Sequence, residues 1–277
     1  MTVSVRTNQP ALIALQNLNR TNDSLGETQN RINTGLKISS AKDNASVYAI
    51  AQKQRASISA LGAVNDSLNR ATSIADVASA AGQSISDLLN SMKQKVVAAM
   101  DPSYDTVARG ALNADYRSLL RQIQQVIQNA AFDGANILDG SLPAGGLRFL
   151  ANSDATAFVT LGVQNMSLGG SIITMATTSS INTVTNASSI LTQLNASITN
   201  VNTALANIGA QANQITSHNK FVGKLTDALT VGIGNLVDAD MAAESARLQA
   251  LQVQQQLGAQ ALSIANQSPQ VILSLFK

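Results

Sequence analysis

The chain has 277 residues, 45% of them hydrophobic, enough for one or two domains with real cores. Its formal net charge is +2, only 12% of residues are charged, and no Lys/Arg cluster is interleaved with aromatics, which disfavours nucleic-acid binding. The lack of cysteine excludes a disulfide framework, no run approaches eighteen consecutive apolar residues, and no basic segment precedes an apolar run at the start. Neither a membrane span nor a cleavable signal peptide is therefore expected.

Pro10 stands near the start of a helical pattern, where proline is tolerated. From there Leu15, Leu18, Asn22, Leu25, Gln29, Ile32 and Leu36 step by three and four, a heptad seam whose polar members are of the kind that fix register. Gly35 and residues 39–44 interrupt it. Leu61, Val64, Leu68, Ala71, Ala75, Ala78, Gly82, Ile85, Leu89, Met92, Val96 and Ala99 then keep the same alternation without a break. With Asp43 or Asn44 as cap and Asp101-Pro102 as stop, this helix is about 85 Å long. Leu112, Tyr116, Leu119, Ile123, Val126 and Ala130 mark a shorter helix expected to fold back antiparallel, closed by Phe132-Asp133-Gly134.

Between residues 133 and 180, glycines punctuate short apolar runs at 147–150, 158–163 and 172–175, which read as hairpins and loops. A further seam runs from Val184 through Leu194, Val201, Ile208, Ile215 and Val222 to Leu236, again roughly 80 Å as a helix. The last stretch carries Leu248, Leu251, Gln255, Gly258, Leu262, Ala265, Pro269, Ile272 and Phe276 at heptad spacing on a surface of amides and small residues. Such a helix leaves its leucines wet unless it finds a partner. Two long helices of matched length bring the chain out and back, so the terminal seams should pair. The expected fold is mainly α, a long antiparallel helical bundle or coiled coil with a small β-hairpin element and paired N- and C-terminal helices. Residues 1–43 with 237–277 are expected to form a terminal coiled-coil domain. Residues 44–132 with 181–236 make a long helical bundle, and 133–180 a β-hairpin and loop element of that same outer domain.

No catalytic constellation is legible. His218 is the single histidine, off the seam, and reads as an ordinary solvated or packed side chain. Asp238 and Asp240 read as a helix cap and first-turn acid. No glycine pattern matches a phosphate loop, and there are no thiols, so no enzyme activity, cofactor or metal is expected.

Two stretches, SLGETQNRINTGLKISSAKDNASVYAIAQ at residues 24–52 and DADMAAESARLQALQVQQQLGAQALSIANQSPQVILSLF at 238–276, resemble the terminal signatures of bacterial flagellin. The matching residues include Arg31, Gly35, Lys42 and Asp43 at one end and Asn266, Gln267 and Pro269 at the other. Asp43-Asn44-Ala45-Ser46-Val47 stands where many members read Asp-Asp-Ala-Ala-Gly, and the middle is too short for large outer domains. The resemblance implies a structural subunit that polymerises into the helical flagellar filament for motility. It implies export through the flagellar type III channel and a location outside the cell. Implied partners are further flagellin subunits, an export chaperone, the filament cap and hook-associated proteins, with neither nucleic acid nor membrane insertion. Leu15, Leu18, Leu25, Ile32, Leu36, Leu248, Leu251, Leu262, Ile272 and Phe276 then become candidate subunit-interface residues lining an inner tube. Thr177, Thr178, Ser179 and Ser180 become candidate O-glycosylation sites. Members sensed by the animal innate-immune flagellin receptor carry arginine where Ser84 and Ser86 stand, implying weak recognition here. A hook–filament junction protein shares the terminal pattern and is the alternative. A type III needle-tip or translocator protein would need a membrane-inserting segment that is missing.

Overall fold

The computed structural model describes residues 7–274, with side chains described through Gln267. Among the described residues there are five helices and one two-stranded sheet. In order these are α1 (Gln9–Thr34), α2 (Ala45–Ala99), α3 (Thr106–Asn129), β1 (Leu147–Leu150), β2 (Phe158–Leu161), α4 (Val184–Val237) and α5 (Met241–Ser274). Each helix begins on a short polar side chain that accepts from an otherwise unpaired backbone N–H. Asn8 does so for α1, Asn44 for α2 through Val47 N at 3.1 Å, and Asp105 for α3 through Ala108 N at 2.7 Å. Thr183 caps α4 through Asn186 N at 3.2 Å, and Asp240 caps α5 through Ala242 N at 2.9 Å. Of the two candidates before α2, Asn44 is thus the cap. Asp43 closes the preceding loop, accepting from the backbone N–H and hydroxyl of both Ser39 and Ser40.

The chain divides into two compact units, residues 1–56 with 228–277 and residues 57–227. In the 57–227 unit, all twelve seam residues of α2 are buried; Leu68, Ala71, Ile85, Leu89, Met92 and Val96 have no exposed surface. Helix α3 folds back antiparallel on α2. Lys95 pairs with Asp115 at 2.8 Å, and the buried Arg109 donates to the carbonyls of Ala99 and Asp101, satisfying the end of α2. On α3 the buried row is Tyr116, Leu120, Ile123, Ile127 and Ala130, with Leu119 and Val126 only half-buried. Helix α4 is antiparallel to α2: Asn219 donates to Asn69 at 2.7 Å, while a Cβ on Gly82 would lie 2.6 Å from Leu205 Cδ2.

The segment after α3 packs on this bundle. Buried Asn136 donates to the Ile127 carbonyl at 2.7 Å, closing α3, and accepts from Leu138 N at 2.8 Å. β1 and β2 pair antiparallel from Leu147↔Leu161 to Leu150↔Phe158. Gly146 lies at φ 71°, and a Cβ there would sit 2.3 Å from the Leu161 carbonyl oxygen, so the turn into β1 requires glycine. The hairpin is tied to the helices by Leu150 N on Ser67, Gly162 N on Gln211, and His218 on the Ala151 carbonyl at 2.8 Å. His218 is therefore a packed, hydrogen-bonded histidine. The run at 172–175 is no strand; Thr174 N donates to Ser197 of α4 at 3.1 Å, and Ile173 and Met175 are fully buried.

Candidate assembly surface

Within the unit of residues 1–56 and 228–277, α1 and α5 lie antiparallel along their length. The register is marked by Asn8 donating to the Ala265 carbonyl at 2.8 Å and Gln255 donating to Asn22 at 2.7 Å. Gly258 allows close approach between them, since a Cβ there would meet Leu18 Cδ1 at 3.2 Å. Near the other end Arg31 donates to Glu244 at 3.0 Å and also to Glu27. The hydrogen bond to Glu244 is the main reason that the Arg31 guanidinium is held still more firmly protonated than usual.

The pair is closed where α1 ends and α5 begins. Gly35 terminates α1 in the left-handed conformation at φ 69°. The next residue, Leu36, bridges to Asp238; Lys37 N donates to the Val237 carbonyl at 2.7 Å, and Ala239 N to the Gly35 carbonyl at 2.9 Å. This corner explains why the helical seam cannot run through Leu36: that residue has left the helix for a strand-like pairing.

The candidate residues divide by position. Leu18, Leu25, Ile32 and Leu36 on one side, and Leu248 and Leu262 on the other, are half-buried; Leu251 is buried. Leu15 is 42% exposed, and the row of α1 turned inward runs through Ala14, Leu18, Thr21, Leu25, Thr28 and Ile32, with Thr28 buried. Outside that row the pair shows apolar side chains to solvent: Leu12 and Ile13 on α1, and Val253, Leu257 and Ile264 on α5, each more than half exposed. Among the motif residues, Arg31 is half-buried in its ion pair, whereas Lys42, Asn266 and Gln267 are exposed. Phe276, with the side chains of Pro269 and Ile272, lies outside the described residues. In the other unit Thr177 and Thr178 are exposed, and Ser179 and Ser180 half-buried.

What this arrangement can do chemically is associate. Among the described residues no three His, Cys, Asp or Glu side chains gather as a metal site. No described helix is long and apolar enough to cross a membrane. The features that sequence reading passed over are Thr21 and Thr28 in the seam and the corner at Leu36 and Asp238. Neither threonine carries a hydrophobic signal, and the bridge joins residues some two hundred positions apart.

Comparison with known proteins shows what such a surface accompanies. The family model for the bacterial flagellin N-terminal helical region matches residues 5–142, and that for the C-terminal helical region matches residues 191–276. Flagellin FljJ of Caulobacter vibrioides is 55% identical over 277 residues, covering 100% of this chain and 99% of that protein. A flagellin of Brucella melitensis is 39% identical over 290 residues, with 99% of each covered. Among solved structures, the crystal structure of Bacillus cereus flagellin is similar with a TM-score of 0.49 and 20% identity, covering 55% of this chain and 86% of that one.

Proposed function

The chain belongs to the bacterial flagellin family, a structural subunit of the flagellar filament outside the cell, and from that premise we propose that the α1–α5 pair is the surface through which it polymerises. The observation that carries this reading is the pair's incomplete burial. Its own seam covers one face of each helix, and Leu12, Ile13, Leu15, Val253, Leu257 and Ile264 stand apolar and wet on the others. Apolar surface of this extent favours a neighbour, and further copies of the same chain supply one. A non-closing, heterologous contact between copies yields a filament rather than a closed ring.

The same reading extends to the route and the accessories. The subunit travels through the flagellar type III channel with an export chaperone, is added beneath a filament cap, and rests on hook-associated proteins. The exposed Thr178, with Ser179 and Ser180, supplies the O-glycosylation positions; an intact mass of 28.8 kDa for the native filament subunit would remove that assignment. No catalytic role is assigned.

Electron microscopy of the concentrated full-length protein, seeded with sheared filament fragments, tests the reading. Long tubes are expected. Seeds that stay short and capped would point to a junction protein, and particles that ignore the seeds would sink the polymer assignment.

A further inference from the structure

A second interaction surface is written in charge on the 57–227 unit. Arg117 and Arg121, one turn apart on α3, are exposed and line a groove of about 160 Å³ with Gln124, Leu168 and Thr177. A second groove of about 310 Å³ shares Gln124, Leu168 and Thr177, extends the first, and carries one carboxylate, Asp139, which forms no ion pair with either arginine. Residues 116–129 hold no acid to answer these two guanidinium groups. The ion pairs of this unit among the described residues are Arg70–Asp133 at 2.8 Å and Lys95–Asp115 at 2.8 Å, and neither engages Arg117 or Arg121.

The converse patch lies on α2. Residues 71–92 carry Asp76 and Asp87 and no base. Both are exposed, while Ala78, Ile85 and Leu89 beside them are buried. Eleven residues are about three helical turns, so the two carboxylates project about 16 Å apart from one face of α2, the face turned away from the core, and only one of them at a time can enter a groove whose arginines stand about 6 Å apart. Among the described residues, one chain thus presents a pair of positive charges on α3 and a pair of negative charges on α2, none of them in an ion pair.

We propose that the Arg117–Arg121 groove receives the Asp76/Asp87 face of a second copy of this chain. The inference rests on the filament reading, and deepens it by naming charged partners distant in sequence from the α1–α5 helices. Two different patches of the same molecule meeting each other make a heterologous contact, which propagates along a polymer. Guanidinium groups suit this task because their planar forks grip carboxylates bidentately. Complementary charge of this kind contributes register and rate of docking more than raw affinity.

Seeded filament growth of the full-length protein, followed by light scattering and electron microscopy, tests the proposal. Arg117→Glu/Arg121→Glu is expected to slow growth at least about tenfold, and Asp76→Arg/Asp87→Arg to do the same. All four side chains are exposed, so the circular dichroism of each monomer should match the wild type. Arg117→Gln/Arg121→Gln gives a milder variant with an intermediate rate. The combined four-residue reversal is expected to recover most of the wild-type rate. Normal growth of either reversed pair overturns the proposal, and so does a combined variant no faster than its parents. If the unaltered protein fails to extend seeds, the filament reading falls and takes this proposal with it; growth of the unaltered protein with indifferent variants removes the proposal alone.

Discussion

Glu244 is the residue on which the α1–α5 pair is most exposed to failure. One of its oxygens takes the hydrogen bond from Arg31, while the other, Oε2, is buried without a partner. A half-satisfied buried carboxylate stabilises through its ion pair and costs through its desolvation. Glu244→Ala should lower the stability of the pair by about 1–3 kcal/mol, because Arg31 then keeps only the exposed Glu27. A double-mutant cycle with Arg31→Met should return a coupling of about 0.5–3 kcal/mol, and additive losses would show that the two residues act separately.

Two other groups set pH limits. The backbone N–H of Ser40 and then Ser39 hold the Asp43 carboxyl below its usual range, so the unfolded chain binds the proton more readily. The contribution of the loop is full above about pH 4 and is lost as pH falls below it; Asp43→Asn should flatten that acid limb of a stability curve. Tyr116 behaves oppositely. Burial pushes its phenol up to about 12, so its contribution is complete below about pH 10 and is lost as pH rises through 12. Tyr116→Phe keeps the packed ring, and its melting temperature should fall less than that of the wild type between pH 9 and pH 11.5. Equal falls would show that the phenol is not the titrating group.

At the level of the element, packing decides what composition leaves open. The α2 seam was legible because its steps of three and four run unbroken through twelve positions, past adjacent apolar pairs such as Val77-Ala78, Leu88-Leu89 and Val96-Val97. On α3 the adjacent pairs Leu119-Leu120 and Val126-Ile127 offer two seams at equal spacing, and the contact with the bundle selects Leu120 and Ile127. On α1 hydrophobicity points to Leu15, but the inward row takes Ala14, Thr21 and Thr28 in turn with the larger Leu18, Leu25 and Ile32. The hairpin's ladder and the bridge at Leu36 depend on pairing between separate segments, which no local period records. Close approach also explains Gly82, a helix-interior glycine that costs intrinsic propensity. Gly82→Val would push a branched side chain against Leu205 and should destabilise the 57–227 unit by about 1–3 kcal/mol, read as a lower denaturation midpoint. An unchanged midpoint would mean that Leu205 moves aside freely.

For the whole molecule, folding and assembly should respond to different faces of the same two helices. A charge in the inner seam, as in Leu25→Asp or Leu262→Asp, removes a half-buried leucine from the α1–α5 pair and should cost both the pairing and polymerisation, while the 57–227 unit stays helical. A charge on the outer face is a different perturbation. Val253 and Leu257 are 54% and 64% exposed, so Val253→Asp/Leu257→Asp removes little that the monomer buries. Its helical signal and melting temperature should stay near those of the wild type. Seeded growth should nevertheless stop, because a neighbouring copy would have to bury two unpaired carboxylates at several kcal/mol each. Sedimentation of seeded mixtures separates the cases. Soluble, fully helical Val253→Asp/Leu257→Asp protein that leaves the seeds short places the outer face between subunits. Pelleting at the wild-type rate would mean that these residues meet only solvent in the filament, and the assembly surface would have to be sought elsewhere on the pair.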